Sequence, residues 1–197
     1  GKTTEEVSKV LKGQPNTSVT ILIERPHLEK PFEVSFNREK ISVASVPYSE
    51  YLEEGIAYIR LRSFTRNCSE DLKNAIIALK KDQELKGLIL DLRGNPGGLL
   101  NESVEIVNFF VEKGQEVVRT KGKIKSWDKA YIAHNTPLDT ALPLVVLINS
   151  SSASASEIVS GSIQDLDRGV VIGQRSYGKG LVQQTRKLSY NAQLKLT

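Results

Sequence analysis

The sequence predicts an α/β fold with a largely parallel central sheet. The apolar runs Leu88–Leu90 and Leu144–Ile148 are continuous rather than alternating, as in strands that a parallel sheet buries on both faces. Residues 69–85 instead carry apolar side chains at positions i, i+3, i+4 and i+7, which is the spacing of an amphipathic helix. Because strand and helix patterns alternate along the chain, their order favours βαβ units.

The composition is that of a folded globular protein. Of the 197 residues, 39% are hydrophobic and 25% are charged, which is enough apolar material for a packed core. The 27 basic residues exceed the 23 acidic ones by only four, so the charge gives little support to nucleic-acid binding. Cys68 is the only cysteine, which excludes an intrachain disulfide and a cysteine metal cluster. We predict no metal and no cofactor.

The first part of the chain contains short elements. Residues 3–13 are predicted to form a helix, because Thr3 and Glu6 have capping-box spacing and Gly13 is a good terminator. Alternating apolar residues then predict three short strands, at residues 19–23, 32–36 and 41–43. One helix and the strand after it cannot close a core alone, so we interpret them as the end of a domain.

The rest of the chain continues the alternation of strands and helices. After the helix at residues 69–85, the predicted helices are one marked by Val104, Val107 and Val111 that ends before Gly114, and one at residues 155–167. The predicted strands are residues 57–61, 88–90, 117–118, 144–148, 170–172, 181–187 and 193–197. Residues 121–140 are polar and predict a long loop or hairpin, with Trp127 as a surface anchor.

A serine-rich segment, residues 149–157 (NSSSASASE), follows the strand at 144–148 and precedes the next helix. A hydroxyl on such a strand-to-helix turn can act as a nucleophile beside the positive end of the helix dipole. Ser154 and Glu157 also have the spacing of a capping box, so Ser154 can equally be an ordinary helix cap. Ser152 and Ser156 are as eligible as Ser154, and local sequence alone favours the cap.

A serine nucleophile needs a base, and the sequence offers three side chains. His27 and His134 lie in polar turns outside any strand–turn motif, which gives little support to a Ser-His-Asp triad. Lys179 is the other candidate, since a lysine amine accepts a proton near neutral pH when it is partly removed from water. The apolar neighbours that would cover it are Tyr177, Leu181 and Val182.

Two glycine motifs have competing interpretations. Residues 173–179 (GQRSYGK) have the spacing of a phosphate-binding loop, but Gly180 stands where that loop has Ser or Thr. Residues 181–185 also alternate like a strand, whereas a phosphate loop opens a helix. The pair Gly97-Gly98 can be a tight strand-to-helix turn, or it can leave a backbone N–H free to point at a substrate.

Taken together, these motifs resemble the carboxy-terminal processing proteases, also called tail-specific proteases. The resemblance rests on four segments that come in the order and with the spacing of that family: residues 87–98 (GLILDLRGNPGG), 143–149 (PLVVLIN), 152–157 (SASASE) and 173–183 (GQRSYGKGLVQ). It covers essentially the whole chain. The family often has glycine where this chain has Ser151.

The resemblance implies a fold of the ClpP and crotonase class, with flanking helices, and it implies residue roles. Ser154 corresponds to the nucleophile and Lys179 to the base, with a separation of 179 − 154 = 25 residues that agrees with the family pattern. Gln183 corresponds to the glutamine that holds the lysine amine. The backbone N–H groups of Gly98 and Ala155 correspond to the oxyanion hole. The implied reaction is hydrolysis of a peptide bond through an acyl-enzyme.

The resemblance also implies a domain organisation. Residues 1–25 are similar to the last helix and strand of a PDZ domain, residues 26–47 would be connecting strands, and residues 48–197 would be the protease core. The chain begins at a glycine and stops within a strand of the family, so we expect an internal fragment.

The expected partners are proteins or peptides with apolar C-terminal tails, captured by the PDZ domain, and no nucleic acid. Membrane association is expected only through segments absent from this sequence, a homo-oligomer is open, and the implied compartment is the bacterial periplasm or cell envelope. Two alternatives stay open: a non-catalytic PDZ-containing scaffold that binds tails, and an acyl-CoA enzyme on the same fold.

Overall fold

The computed structural model describes residues 3–41 and 43–197, which form two compact units, Gly1–Val43 and Ala44–Thr197. The first unit contains α1 (Thr4–Leu11), β1 (Ser18–Ile23) and β2 (Phe32–Asn37). In chain order the second unit contains β3 (Tyr48–Glu53), β4 (Ile56–Arg60), α2 (Cys68–Asp82), β5 (Gly87–Asp91), α3 (Leu100–Asn108), β6 (Glu116–Thr120), β7 (Lys129–Ile132), β8 (Leu144–Ile148), α4 (Ala155–Asp165), β9 (Val170–Gly173), β10 (Gln184–Lys187) and β11 (Gln193–Leu196).

The first unit is a helix and a hairpin. α1 begins as predicted, in a capping box formed by Thr3 and Glu6. The other end of α1 is held by Arg38, whose guanidinium donates to the carbonyl oxygens of Val10 and Leu11 at 2.9 and 2.8 Å. A cation at this end also interacts favourably with the helix dipole.

The compact units of the structure do not coincide with the domains predicted from the sequence, and the predicted domain boundaries stay predictions. β2, which we expected to be a connecting strand, pairs with β1 in an antiparallel hairpin within the first unit. The division into units falls at Val43 rather than at residues 25 and 47. The predicted short strand at residues 41–43 includes Ser42, which lies outside the described residues.

The second unit is built on a five-stranded sheet, which confirms the predicted α/β fold with a mainly parallel sheet. The strands lie in the order β3-β4-β5-β8-β9, and only the β3–β4 pair is antiparallel. The predictions from sequence did not include β3, a half-exposed edge strand whose pattern is weak.

The core of the second unit packs helices against the middle strands. Its fully buried side chains include Leu88 and Leu90 of β5, Val146 of β8, Leu72 and Ile76 of α2, and Val159 and Ile163 of α4. Burial of such a side chain stabilises the fold by roughly 1.5–3 kcal/mol. Because β5, β8 and β9 are parallel neighbours in this rigid layer, the loops that follow them emerge at the same edge of the sheet.

Two further elements refine the predictions. The polar segment 121–140 supplies the loop and the second strand of a hairpin, since β7 pairs with β6 just before the segment. α3 ends at Asn108, well before Gly114, because the carbonyl oxygen of Phe109 accepts hydrogen bonds from the N–H groups of Leu138 and Asp139, both at 2.9 Å.

Within residues 3–41 and 43–197, no helix has the length and apolar character that a bilayer crossing needs.

Candidate active site

Three loops meet where the parallel strands end. They are residues 92–99 after β5, residues 149–154 after β8 and residues 174–183 after β9. Backbone hydrogen bonds join the strands and loops: Leu92 N–H to Leu147 O at 2.8 Å, Ala153 N–H to Asn95 O at 3.1 Å, and Tyr177 N–H to Ser152 O at 3.0 Å. The predicted nucleophile, oxyanion and base segments are therefore neighbours.

Ser154 has a backbone conformation that L-residues rarely adopt. It is the residue before α4, with φ +56° and ψ −112°. A non-glycine residue held there costs on the order of 1–3 kcal/mol, and such strain persists only where the surroundings enforce it. The surroundings here include the hydrogen bond from Ser154 N–H to Glu157 Oε2 at 2.7 Å. The turn carries a half-buried serine at the positive end of a helix dipole.

The two neighbouring serines that sequence could not distinguish from Ser154 have structural roles. The buried Ser152 hydroxyl donates to Leu92 O at 2.8 Å and accepts from Asn149 N–H at 2.9 Å. The buried Ser156 hydroxyl donates to Asn95 O at 2.9 Å. Both hydroxyls are committed to backbone partners, so of the three candidates only Ser154 is a candidate nucleophile.

The capping interpretation of Ser154 is also correct in part. Ser154 and Glu157 stand in a capping-box arrangement, in which the carboxylate accepts from the Ser154 N–H. The Glu157 N–H makes its short bond to the Ser154 carbonyl oxygen at 2.8 Å, and the Ser154 hydroxyl makes no well-formed cap hydrogen bond. The cap is therefore built mainly from the backbone and Glu157, which leaves the hydroxyl available.

The glycine turn lies directly against the serine turn. A Cβ added at Gly97 would come within 2.5 Å of Ala153 O, 2.8 Å of Ser154 Cβ and 2.9 Å of Ala155 N. Gly97 has φ +93°, a conformation that favours glycine. The turn is fixed by the fully buried Asn95, whose side chain donates to Leu61 O and accepts from Gly97 N–H, both at 2.9 Å.

The two predicted oxyanion donors are free. In the part of the chain that the structure describes, neither Gly98 N–H nor Ala155 N–H donates to a protein acceptor. The opposite side of the backbone at Gly98 forms a parallel β-bridge with Phe64. In this bridge Phe64 N–H donates to Gly97 O, and Leu99 N–H donates to Phe64 O. Both N–H groups are therefore available to an acceptor outside the described residues, and their role as oxyanion donors stays a prediction.

Glu157 joins the serine turn to the segment that carries the predicted base. Its carboxylate accepts from Ser154 N–H at 2.7 Å and from Lys179 N–H at 3.1 Å. It also accepts from the Ser176 hydroxyl at 2.8 Å and from Gly178 N–H. Burial raises the pKa of Glu157, but these hydrogen bonds outweigh burial and hold the pKa below its ordinary value of 4.5. We call these contacts the Glu157 latch.

We expect Glu157→Gln to lower kcat about 10- to 100-fold, because a small displacement of a catalytic group has an effect of this size. The folded-state pKa is lowered, so the carboxylate stabilises the fold fully above its ordinary pKa of 4.5 and loses this contribution as the pH falls through the folded value. The Tm difference between wild type and variant should therefore be largest at neutral pH and shrink on acidification below 4.5.

The matched control for this prediction is Glu105→Gln, which removes a carboxylate from α3 that accepts from Asn135. The control should keep the wild-type kcat. A Glu157→Gln enzyme with wild-type kcat would show that the latch does not position the base segment.

A second ionic cluster fixes the start of the glycine loop. Asp91, at the end of β5, accepts two hydrogen bonds from the Arg93 guanidinium at 2.9 and 2.8 Å and one from the Tyr58 hydroxyl. Burial raises the pKa of Asp91, and the bonds from Arg93 and Tyr58 more than offset this, so its pKa is lowered. The loop that carries Asn95 and Gly97 therefore starts from a fixed point.

The structure brings Lys179 to the site through its backbone rather than its side chain. The side chain is half-buried, and among the described residues no hydrogen bond joins Lys179 Nζ to Ser154 Oγ. The three neighbours expected to bury it are largely in solvent, since Tyr177, Leu181 and Val182 are 69%, 45% and 40% exposed. In the described part of the chain the loop follows β9, which is an edge strand of the five-stranded sheet.

Among the described residues, no hydrogen bond joins the Gln183 side chain to the lysine amine. Its side-chain nitrogen donates to Thr197 Oγ1 at 3.4 Å, since the β10–β11 hairpin aligns the residues that flank its two open ends. The catalytic roles of Lys179 and Gln183 stay predictions.

The competing interpretations lose support. β9 is followed by a loop and then by β10, so the near-match to a phosphate-binding loop lacks the helix that such a loop opens. His134 and His27 are both exposed, as expected for solvated histidines in polar turns.

The sequence predicts Glu157 only as a cap and assigns no role to Asn95, although both residues hold the turns of the candidate site in place.

The fold and the site together place a candidate serine nucleophile at the carboxyl edge of an α/β sheet, the arrangement of a serine-type hydrolase. The chain belongs to peptidase family S41, whose family model matches residues 55–197. It is 40% identical over 200 residues to a Staphylococcus aureus protein named "Probable CtpA-like serine protease" and 39% identical over 200 residues to the "Carboxy-terminal-processing protease" of Bartonella bacilliformis. Both alignments cover 100% of this chain.

Among solved structures, the chain is similar to the photosystem II D1 C-terminal processing protease. The TM-score is 0.70 at 28% identity, and the match covers 98% of this chain and 52% of that one. The chain spans 39% and 45% of the lengths of its Staphylococcus and Bartonella relatives.

Proposed function

We propose that this chain is part of a serine endopeptidase that cleaves proteins near their C-termini. The observation that carries the proposal is the strained Ser154 turn, which lies against the Gly97-Gly98 turn and has a free N–H on each side. Membership of peptidase family S41 and the names of the relatives support the same reaction.

In the proposed mechanism, Ser154 Oγ attacks the carbonyl carbon of the scissile bond while the neutral Lys179 amine accepts the hydroxyl proton. Gly98 N–H and Ala155 N–H donate to the oxyanion of the tetrahedral intermediate, and loss of one such donor typically costs about 10²–10³ in kcat. The C–N bond then breaks, and Lys179 returns the proton to the leaving amine. Water, deprotonated by Lys179, hydrolyses the ester and releases the product acid.

The mechanism requires the segment after β9 to bring Lys179 Nζ within about 3 Å of Ser154 Oγ. We propose that Gln183 holds the amine in that position. We also propose that a PDZ domain, whose end corresponds to residues 1–25, captures an apolar C-terminal tail and gates this rearrangement. The proposed substrates are proteins with such tails in the bacterial periplasm or cell envelope.

A non-catalytic scaffold that binds tails without cutting them is the second candidate. The observation that favours it is that no hydrogen bond joins Ser154 Oγ and Lys179 Nζ in the described residues. The two candidates differ in one chemical property, because only the peptidase needs a nucleophilic serine.

Treatment of the full-length protein with a fluorophosphonate, which phosphonylates activated serines with loss of fluoride, tests this property. We expect a covalent adduct on Ser154, located by mass spectrometry of the digested protein. Ser154→Ala should abolish labelling, and Ser151→Ala, at the exposed neighbouring position, should not. A folded protein that never labels at Ser154, and cleaves no peptide, would support the scaffold.

A further inference from the structure

The end of the β6–β7 hairpin is an exposed segment rich in lysine. We call residues 121–129 (KGKIKSWDK) the basic tip. Its lysines, Lys121, Lys123, Lys125 and Lys129, are all exposed. Its only acid is Asp128, whose carboxylate accepts from Gly122 N–H at 2.9 Å. The four lysines and this one acid give the tip a net charge of 4 − 1 = +3.

The lysines of the basic tip have few acidic neighbours, although Lys121 adds to the effect of Arg119 in lowering the pKa of Glu116. Of the residues that the structure describes, none forms an ion pair with a lysine of the tip. Arg119 in β6 differs from the lysines of the tip, because it forms an ion pair with Glu116. The hydrogen bond from Arg119 lowers the pKa of the Glu116 carboxyl. A cluster of positive charge without ion-pair partners among the described residues attracts an anionic partner and speeds its association.

The basic tip also presents apolar surface. Trp127 is 67% exposed and Ile124 is 47% exposed, although both belong to the most hydrophobic residue types. Tryptophan beside basic residues is typical of binding surfaces, where the ring supplies contact area and the charges supply orientation. The partner that fits is therefore acidic with apolar side chains between the acids.

The basic tip lies beside the strand that leaves the catalytic segment. The guanidinium carbon of Arg186, in β10, is 6.0 Å from the centre of the Trp127 ring. Arg186 is 186 − 179 = 7 residues beyond Lys179, and a chain of that length spans at most roughly 25 Å. A polypeptide bound at Ser154 could therefore reach the tip with about ten extended residues.

We propose that the basic tip, together with Arg186, is a docking surface for an acidic segment of the polypeptide substrate. This proposal rests on the proposed peptidase function, and it names a substrate class: proteins with acidic residues interleaved with apolar ones within about ten residues of the cleaved bond. Lipid headgroups would also match lysines and a tryptophan. The contact between Trp127 and the strand that continues from Lys179 favours the substrate chain over a bilayer.

Binding of a peptide to the basic tip can be measured separately from cleavage. Trp127 is the only tryptophan of this chain, so the tryptophan fluorescence reports on the tip alone. In the Ser154→Ala variant, an aspartate-rich peptide with interspersed leucines should change the fluorescence of Trp127 in a saturable way. The same peptide with asparagine for aspartate should bind at least about tenfold more weakly, and high salt should remove the difference. A response to vesicles containing phosphatidylglycerol, with none to the acidic peptide, would overturn the proposal in favour of a membrane surface.

Kinetics on the full-length protease separate docking from catalysis. We expect the triple variant Lys121→Gln/Lys123→Gln/Lys125→Gln to lower kcat/KM for an acidic fluorogenic peptide about tenfold, mainly through KM. For the neutral peptide, with asparagine for aspartate, kcat/KM should change less than about twofold. The matched control is Lys30→Gln/Lys40→Gln/Lys81→Gln, which removes the same charge at exposed positions outside the tip.

A failure of the docking proposal can be distinguished from a failure of the proposed peptidase function. Equal loss in both triple variants, or equal loss on both peptides, would refute docking at the tip while leaving the peptidase function intact. Loss of cleavage of both peptides by the unsubstituted protease would instead count against the peptidase function, and the Trp127 titration would still decide whether the tip binds the acidic peptide.

Discussion

Replacing Lys179 by alanine is expected to lower kcat on the order of 10⁴-fold or more, because removal of one member of a nucleophile–base pair removes most of the catalysis that the pair provides. The fold should be unaffected. The backbone N–H of Lys179, which alanine keeps, makes the hydrogen bond to Glu157 at 3.1 Å. The side chain makes no ion pair or hydrogen bond within the described residues.

Two further variants make this prediction specific. Lys179→Arg keeps the positive charge but cannot accept a proton near neutral pH, so it should be as inactive as Lys179→Ala. Lys81→Ala removes an exposed lysine at the end of α2 and should leave kcat unchanged. Activity would be measured with a fluorogenic peptide and stability by thermal unfolding. Turnover of Lys179→Ala within tenfold of wild type would exclude lysine as the base.

The strands and helices that carry the site could be predicted from the sequence, because local residue patterns determine these elements. The helical repeat that predicted residues 69–85 appears as α2, and the continuous apolar runs appear as the central strands β5 and β8. The parallel order then brings the glycine loop and the serine loop to the same sheet edge. These features depend on periodicity and on chain order, both of which can be read without coordinates.

The choice among the serines could not be read in the same way. Ser152 and Ser156 differ from Ser154 because their hydroxyls bond to Leu92 O and Asn95 O, which are 60 and 61 residues away. Contacts between such distant positions leave no periodic pattern in the sequence. Only the resemblance of the whole motif to a family singled out Ser154.

The Glu157 latch shows the same limit. Capping-box spacing predicted the contact with Ser154, three residues away. The contacts with Ser176, Gly178 and Lys179 lie 19 to 22 residues further along the chain and depend on how the loop after β9 folds back. Similarly, α3 ends early because a distant loop uses the Phe109 carbonyl, which no local terminator signals.

Replacing Gly97 by alanine is expected to reduce both activity and stability. The φ of +93° already disfavours an L-residue by about 1–3 kcal/mol. The new Cβ would also meet Ala153 O at 2.5 Å, Ser154 Cβ at 2.8 Å and Ala155 N at 2.9 Å, and two of these three atoms are backbone atoms of the nucleophile turn. The glycine and serine turns must therefore separate, which displaces the proposed donors at Gly98 and Ala155 from the position of the oxyanion. Loss of this alignment should lower kcat about 10²- to 10³-fold.

The matched control is Gly94→Ala in the same loop. Gly94 also has a positive φ, +73°, but a Cβ added there would have nothing within 4 Å. Gly94→Ala therefore carries the backbone strain without the collision, and it should lower Tm by a few degrees and keep kcat within about threefold. Gly97→Ala should lose more stability and nearly all activity, because its effect acts through the position of Ser154. Equal kcat and Tm for the two variants would mean that close approach of the two turns is not what aligns the oxyanion donors with the nucleophile.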